Sequence, residues 1–224
     1  KQGKFKVLPT KDIRYQIDRV LRSETLAGQF VKDNGLDKII QQADNLDELN
    51  QYLIARHAKD LASNGIETGR DLAKDSQLLE ALAPKYEAVA KGVTEYTRKL
   101  LDYVTEAGLI SPELNTLLKK KYPNYVPMNR IMEELDNLGK GGTKAVASLG
   151  KQSVVQTIKG SKRAVENPLE SILAKTSQAF EQAEKNKAAQ MLSSYKDLPG
   201  NPFGLRELEA GETVGTKSTI SEIG

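Results

Sequence analysis

The chain has 224 residues with no Cys, no Trp and one His, and 33 Lys+Arg against 30 Asp+Glu leave a net charge of +3. The missing thiols exclude a disulfide scaffold, a thiolate metal site and a cysteine nucleophile, and so small a charge is no nucleic-acid signature by itself. Mean hydropathy is −0.50 and apolar runs last only a few residues, so no segment reads as a membrane span.

Residues 1–9 read as an arm, and Lys1 in place of an initiator Met predicts a piece of a longer chain. Thr10 reads as the cap of a helix in which Ile13, Ile17, Val20, Leu21, Ala27 and Val31 recur at helical spacing, with Asn34-Gly35 as its left-handed stop. A short helix over 36–43 follows. Asn45 with Glu48 three residues later makes a capping-box-like start, after which Leu46, Leu49, Leu53 and Leu61 share a face until Asn64-Gly65. Residues 66–74 read as a connector, and Asp75 as the cap of a brief helix over 76–82. Pro84 then reads as the first-turn proline of the strongest helix. Tyr86, Val89, Ala90, Val93, Leu100, Leu101 and Val104 fall on one narrow arc of it, and Gly108 closes it. Ser111-Pro112-Glu113 restarts a helix at once, with Leu114, Leu117 and Leu118 inward, so the short connection predicts an αα-hairpin over about 84–120.

Beyond Lys121 the texture changes. Tyr122-Pro123-Asn124-Tyr125-Val126-Pro127 is biased to extended geometry by its prolines, with Tyr125 and Val126 expected to be buried against the long helices. Residues 131–138 suit a turn or two of helix, and 139–161 are rich in Gly, Ser, Thr and Lys around a β-prone run at 153–158. Asn167, Pro168 and Glu170 supply a cap, a first-turn proline and an acidic third position. The helix they start should reach about Tyr195 with Leu169, Ile172, Leu173, Thr176, Phe180, Ala183 and Met191 on one side. Residues 198–224 carry turn signals, and 212–220 read as a strand. No internal repeat suggests a solenoid. The expected fold class is mainly α: a multi-helix domain with the αα-hairpin, a long irregular basic insertion and a small β element near the C-terminus. Its expected organisation is an N-terminal arm and helices at 1–44, a helical body at 45–196 including a basic loop at about 139–163, and an irregular or β-prone segment at 197–224, all within one domain or several.

Candidate chemistry is sparse. His57 falls in the middle of the Leu46, Leu49, Leu53 and Leu61 face, where a histidine bonded to backbone or a carboxylate suits the pattern better than a catalytic one. The Gly139-Lys140-Gly141-Gly142-Thr143-Lys144 run lacks the spacing of a phosphate loop. Neither Glu133, Glu134 and Asp136 nor Asp44, Asp47 and Glu48 match a calcium loop. Charge placement says more: between Asn137 and Val165 there is no acidic residue, against the cations Lys140, Lys144, Lys151, Lys159, Lys162 and Arg163. Lys119, Lys120 and Lys121 precede them, with Tyr122 and Tyr125 interleaved. Such a stretch can hold phosphates in a salt-dependent way, or simply be a solvated loop. In the last long helix, Lys187 sits on the apolar stripe three residues after Glu184, a spacing that favours a pair.

Three stretches carry a resemblance: Tyr52-Leu53-Ile54-Ala55-Arg56-His57-Ala58 with Gly65-Ile66-Glu67-Thr68-Gly69-Arg70, then residues 121–130 (KYPNYVPMNR), then residues 160–170 (GSKRAVENPLE). Together they resemble a helical region of the very large polyvalent proteins of tailed phages, prophages and conjugative elements, over about Leu46 to Tyr195. The resemblance implies one segment among many domains on a long chain that enters a recipient cell with DNA, serving as spacer, scaffold or interaction segment. It implies a place in the cytoplasm of a bacterial host or recipient, or inside a virion, and it brings no catalytic residues and no cofactor.

Three functions therefore stand. The first is a non-enzymatic helical scaffold or protein-interaction module, whose partners are other proteins or neighbouring domains, with self-association as a further expectation. The second is a nucleic-acid-binding module acting through Lys119 to Arg163. The third is an enzyme with an unfamiliar polar site at Arg56, His57 and Arg70.

Overall fold

The computed structural model describes residues 12–124, 167–200, 204 and 206, and these form seven α-helices and no strand. They are α1 (Ile13–Leu21), α2 (Ser23–Asp33), α3 (Leu36–Gln41), α4 (Leu46–Ser63), α5 (Leu72–Glu106), α6 (Pro112–Lys121) and α7 (Pro168–Ser194), followed by a single 3₁₀ turn, Tyr195–Asp197. The mainly α expectation holds. Thr10 as a cap, Tyr125 and Val126, the turn at 131–138, the β-prone run at 153–158, the basic loop and the strand at 212–220 all lie outside the described residues.

The centre is α5, 35 residues and about 52 Å long at 1.5 Å per residue. It packs against α3, α4, α6 and α7, while α1 and α2 lie along α7. Its start corrects the sequence reading. The helix begins at Leu72, capped by the Asp71 carboxylate on the amides of Ala73 and Lys74, and Pro84 lies inside it. An internal proline removes one helical hydrogen bond. Here Pro84 and Glu80, whose carbonyl loses its donor, are both exposed residues, so the break falls on the solvent side of the helix. Packing of Leu78, Leu79, Leu82 and Ala83 into the core keeps the helix continuous across it. Asp75 is consequently no cap: it is buried and takes a bidentate ion pair from Arg70, at 2.8 and 2.5 Å, which ties the connector to the first turn.

The predicted N-terminal helix is two helices. Asp12 caps α1 on the Arg14 amide, and Arg22 at φ −105° and ψ 16° interrupts the run so that α1 and α2 each follow α7. Gly35 at φ +64° stops α2, as the Asn-Gly signal implied, and Asn45 caps α4 on the amides of Asp47 and Glu48. The αα-hairpin of α5 and α6 forms, with Ser111 capping α6; Leu114 and Leu118 turn inward, but Leu117 is exposed. Leu46 and Leu173, assigned to apolar faces from their spacing, are exposed as well.

Two apolar clusters fill the body. One joins Leu49, Leu53, Tyr86, Val93 and Ile172 around the first half of α5, and the other joins Leu100, Val104, Leu118, Phe180 and Ala183 around the second. Phe30 touches both, with its ring 5.4 Å from Tyr96 and 5.3 Å from Phe180. The buried tyrosines keep their hydroxyls partnered: Tyr86 to Glu48 at 2.8 Å and Tyr96 with Thr176 at 2.8 Å. Between α1, α5 and α7 sits Glu184, fully enclosed. It receives Arg19 in a fork (2.6 and 2.9 Å), Lys187 at 3.0 Å and the Tyr103 hydroxyl. The predicted Glu184–Lys187 pair is thus present within a larger set.

Candidate functional site

On α4 the residues Tyr52, Arg56, Asp60 and Asn64 stand four apart, and an α-helix stacks such residues into one ridge. Leu49 and Leu53 beside them are buried in the core, so the ridge lies at the margin where α4 meets α5 and the chain leaving α6. Arg56 and Asp60 are themselves buried, which commits their charges to partners.

Those partners come from two directions. From α5, Glu87 accepts the Tyr52 hydroxyl at 2.5 Å and Arg56 Nη1 at 2.7 Å on the same carboxylate oxygen. Burial works against the charge of Glu87, yet Tyr52, Arg56 and Lys91 together hold its carboxyl below the ordinary range. Burial and the Glu87 carboxylate push Tyr52 up to about 12. From the chain after α6 comes Asn124. Its side-chain oxygen accepts Arg56 Nη2 at 2.8 Å, its side-chain NH2 donates to Asp60 Oδ1 at 2.6 Å, and its backbone N–H donates to Asp60 Oδ2 at 2.9 Å. Thr94 donates to the Asn124 carbonyl at 2.6 Å. Asn64 Nδ2 holds the Lys121 carbonyl at 2.8 Å, and Arg98 reaches the Pro123 carbonyl at 3.1 Å. Tyr122 between them is fully buried, its ring 6.0 Å from the imidazole of His57.

The third stretch of the resemblance arrives on the same helix. Asn167 caps α7, and the Leu169 amide donates to Asn50 Oδ1 at 3.4 Å. Helix α4 therefore carries both the outgoing residues 121–124 and the incoming residues 167–169, the described ends of the second and third stretches.

Of the proposed polar site, Arg56 and His57 lie here, buried and engaged with Glu87, Asn124 and Tyr122. Arg70 does not join them, because its guanidinium is held by Asp75. A groove of about 320 Å³ opens beside that pair, lined by Lys59, Ala62, Ser63, Leu72, Asp75, Ser76 and Leu79. Among the nucleic-acid candidates, Lys119 is paired with Asp102, which Asn115 also holds at 2.8 Å. Lys120 is exposed and Lys121 half-buried. Lys140, Lys144, Lys151, Lys159, Lys162 and Arg163 lie outside the described residues. Among the described residues no group of three or more His, Asp or Glu is placed to hold a metal ion, and no helix is long and apolar enough to cross a membrane.

Chemically, the arrangement fastens one piece of backbone to another. Its donors and acceptors face each other across packed elements, and the buried guanidinium of Arg56 serves as the bridge between Glu87 and Asn124. Reasoning on single residues found Arg56 and His57 but missed Asp60, Asn64, Glu87 and Thr94. The signal that would have found the first two is the four-residue repeat of polar side chains next to the Leu49–Leu53 line. No protein-family model matches the chain, and neither a curated protein nor a solved structure matches it.

Proposed function

We propose that the chain is a non-enzymatic helical scaffold or protein-interaction module of a large multidomain protein of the phage and mobile-element kind. One observation carries the reading. Described residues of the three motif stretches hold the chain to α4: Arg56 bonds Asn124, His57 lies against Tyr122, Tyr52 bonds Glu87 of α5, and the Leu169 amide bonds Asn50. Side chains kept for binding a substrate would point into a cavity; these are turned toward backbone and toward each other. Such a module gives rigid attachment and spacing to whatever is carried at 125–166 or joined beyond its ends.

Fluorescence anisotropy with short single- and double-stranded DNA, at low and at physiological salt, tests this against the nucleic-acid reading. A scaffold leaves the anisotropy unchanged at low salt. Micromolar binding that weakens as salt rises, and is lost when Lys140, Lys144, Lys151, Lys159 and Lys162 become Gln, would replace it with a nucleic-acid module. Lys119 is left out of that set because Asp102 already holds it.

A further inference from the structure

Helix α1 is turned opposite to what its composition favours. One polar line faces the body: Gln16 is buried, Arg19 reaches Glu184 of α7, and Ser23 just beyond the helix end is buried. On the opposite side an apolar line faces outward, while Val20 is half-buried. Ile17 is 49% exposed and Leu21 80%, and Ile13 heads the same line at four-residue spacing. A lone exposed leucine is ordinary on a protein surface, but a stripe opposite a buried polar face is the pattern of an interface.

We infer that this stripe docks a second copy of the chain, α1 against α1 in antiparallel order about a two-fold axis at Ile17. The spacing is self-complementary, because Ile17 then meets Ile17 of the second copy and Ile13 meets its Leu21. The flanking charges select this order. Arg14 and Asp18 lie along the same edge of the stripe, and an antiparallel two-fold brings like edges together. At 1.5 Å per residue, Arg14 comes within about 3 Å, along the helix axis, of Asp18 of the second copy, and the symmetry repeats the pair. A parallel two-fold would carry Arg14 and Asp18 of the two copies to opposite edges of the seam and leave them unpaired across it. In the single chain Arg14 contacts Asp12 at 2.9 Å and Asp18 contacts Arg22 at 3.5 Å. The Asp18–Arg22 pair is exposed and long and is exchanged at little cost, while Arg14 forks onto the half-buried Asp12 at 3.2 and 2.9 Å, a hold that the pair across the axis has to offset. Gln16, Arg19 and Ser23 hold the two bodies on the far sides of the paired helices. A nine-residue helix covers far less than the roughly 800 Å² per partner of a standard interface, so the dimer is weak and concentration-dependent.

Sedimentation equilibrium of the whole 224-residue chain, from about 10 to 500 µM, tests the inference. The expected result is a monomer–dimer equilibrium that Ile17→Ser with Leu21→Ser weakens at least about tenfold. Arg14→Glu and Asp18→Arg each weaken it, and the two together restore it. All four side chains are exposed, so the melting temperature of each variant should match the parent and certify its fold. A chain that stays monomeric at the highest concentration overturns the inference. So does a dimer indifferent to Ile17 and Leu21, or a double charge variant no tighter than the singles.

Discussion

Burial and charge oppose each other at Glu184. Enclosure alone would raise its carboxyl, but Arg19, Tyr103 and Lys187 outweigh that and hold it at about 2. Its unfolded value is about 4.5, so the folded state binds this proton more weakly. The stability that results is fully present above about pH 4.5 and is lost as pH falls toward 2. It amounts to about 3 kcal/mol. Denaturant melts at pH 7, 4 and 3 should show this decline, and Glu184→Gln should flatten it while costing about 2–3 kcal/mol at pH 7, because Arg19 and Lys187 lose their counter-charge. Asn124 allows a sharper comparison. Asn124→Ala removes two side-chain hydrogen bonds to charged groups, from Arg56 and to Asp60, and should cost about 2 kcal/mol. Asn124→Asp should cost more at pH 7, since it sets a carboxylate against Asp60; thermal melts of both variants at pH 7 and 4 decide, with the gap between them closing at the lower pH. Little of this was legible in the sequence. Lys187 with Glu184 is a local pair that helical spacing exposes, but Arg19 lies 165 positions from Glu184 and no periodicity links them. Asp60 and Asn124, 64 apart, are joined only by the fold.

Helix ends were easier to read than helix continuity. Asn45, Ser111 and Asn167 cap where their side chains suggested, because a cap needs only its own next few amides. Pro84 misled because a proline is compatible with both a first turn and an exposed interior position, and only the surrounding packing separates the two. Pro84→Ala should therefore restore a bond to Glu80 and stabilise the chain by about 1–2 kcal/mol, less than the full helix penalty because proline also restricts the unfolded chain. At the other end of α5, Gly108 at φ +75° faces α7, where Asn186 and Gln190 donate to the Ala107 carbonyl at 2.7 and 3.2 Å. A Cβ there would stand 2.5 Å from Gln190 Nε2 and force that side chain to move. Gly108→Ala should cost about 1–2 kcal/mol, combining the left-handed backbone with a weakened contact. Calorimetry of the two variants should move the melting temperature in opposite directions. Amphipathic faces were legible in outline: the arc from Tyr86 to Val104 is buried as its spacing implied. Leu46 was misassigned because it is the first residue of its helix, and Leu117 and Leu173 because each lies between buried residues but is turned off the buried arc.

At the scale of the molecule, α4 is the base on which the chain leaves and returns. Asn50 and Asp60, which hold the two sides, are about 15 Å apart along the helix. Twelve Gly/Ser residues span more than that on average, so replacing 126–165 with such a linker should leave the melting temperature within about 3 °C of the parent. A collapse of the melting transition would mean that the replaced residues help to hold the body together. The helical class of the chain was plain from its periodicity, whereas the central place of α5 and the convergence on α4 were not, since both arise from contacts between distant segments.

The order of synthesis gives the packing of α1 and α2 along α7 a temporal meaning. The hairpins of α4, α5 and α6 join neighbours in the chain and can close as soon as they leave the ribosome. The first two helices cannot, because the surface they rest on ends at Ser194. Until α7 is made, α1 and α2 are therefore waiting, with Arg19 lacking its carboxylate and Phe30 its aromatic neighbour on α7. Docking on α7 is therefore a later step than closure of those hairpins, and a chain stalled before α7 would be left with α1 and α2 undocked.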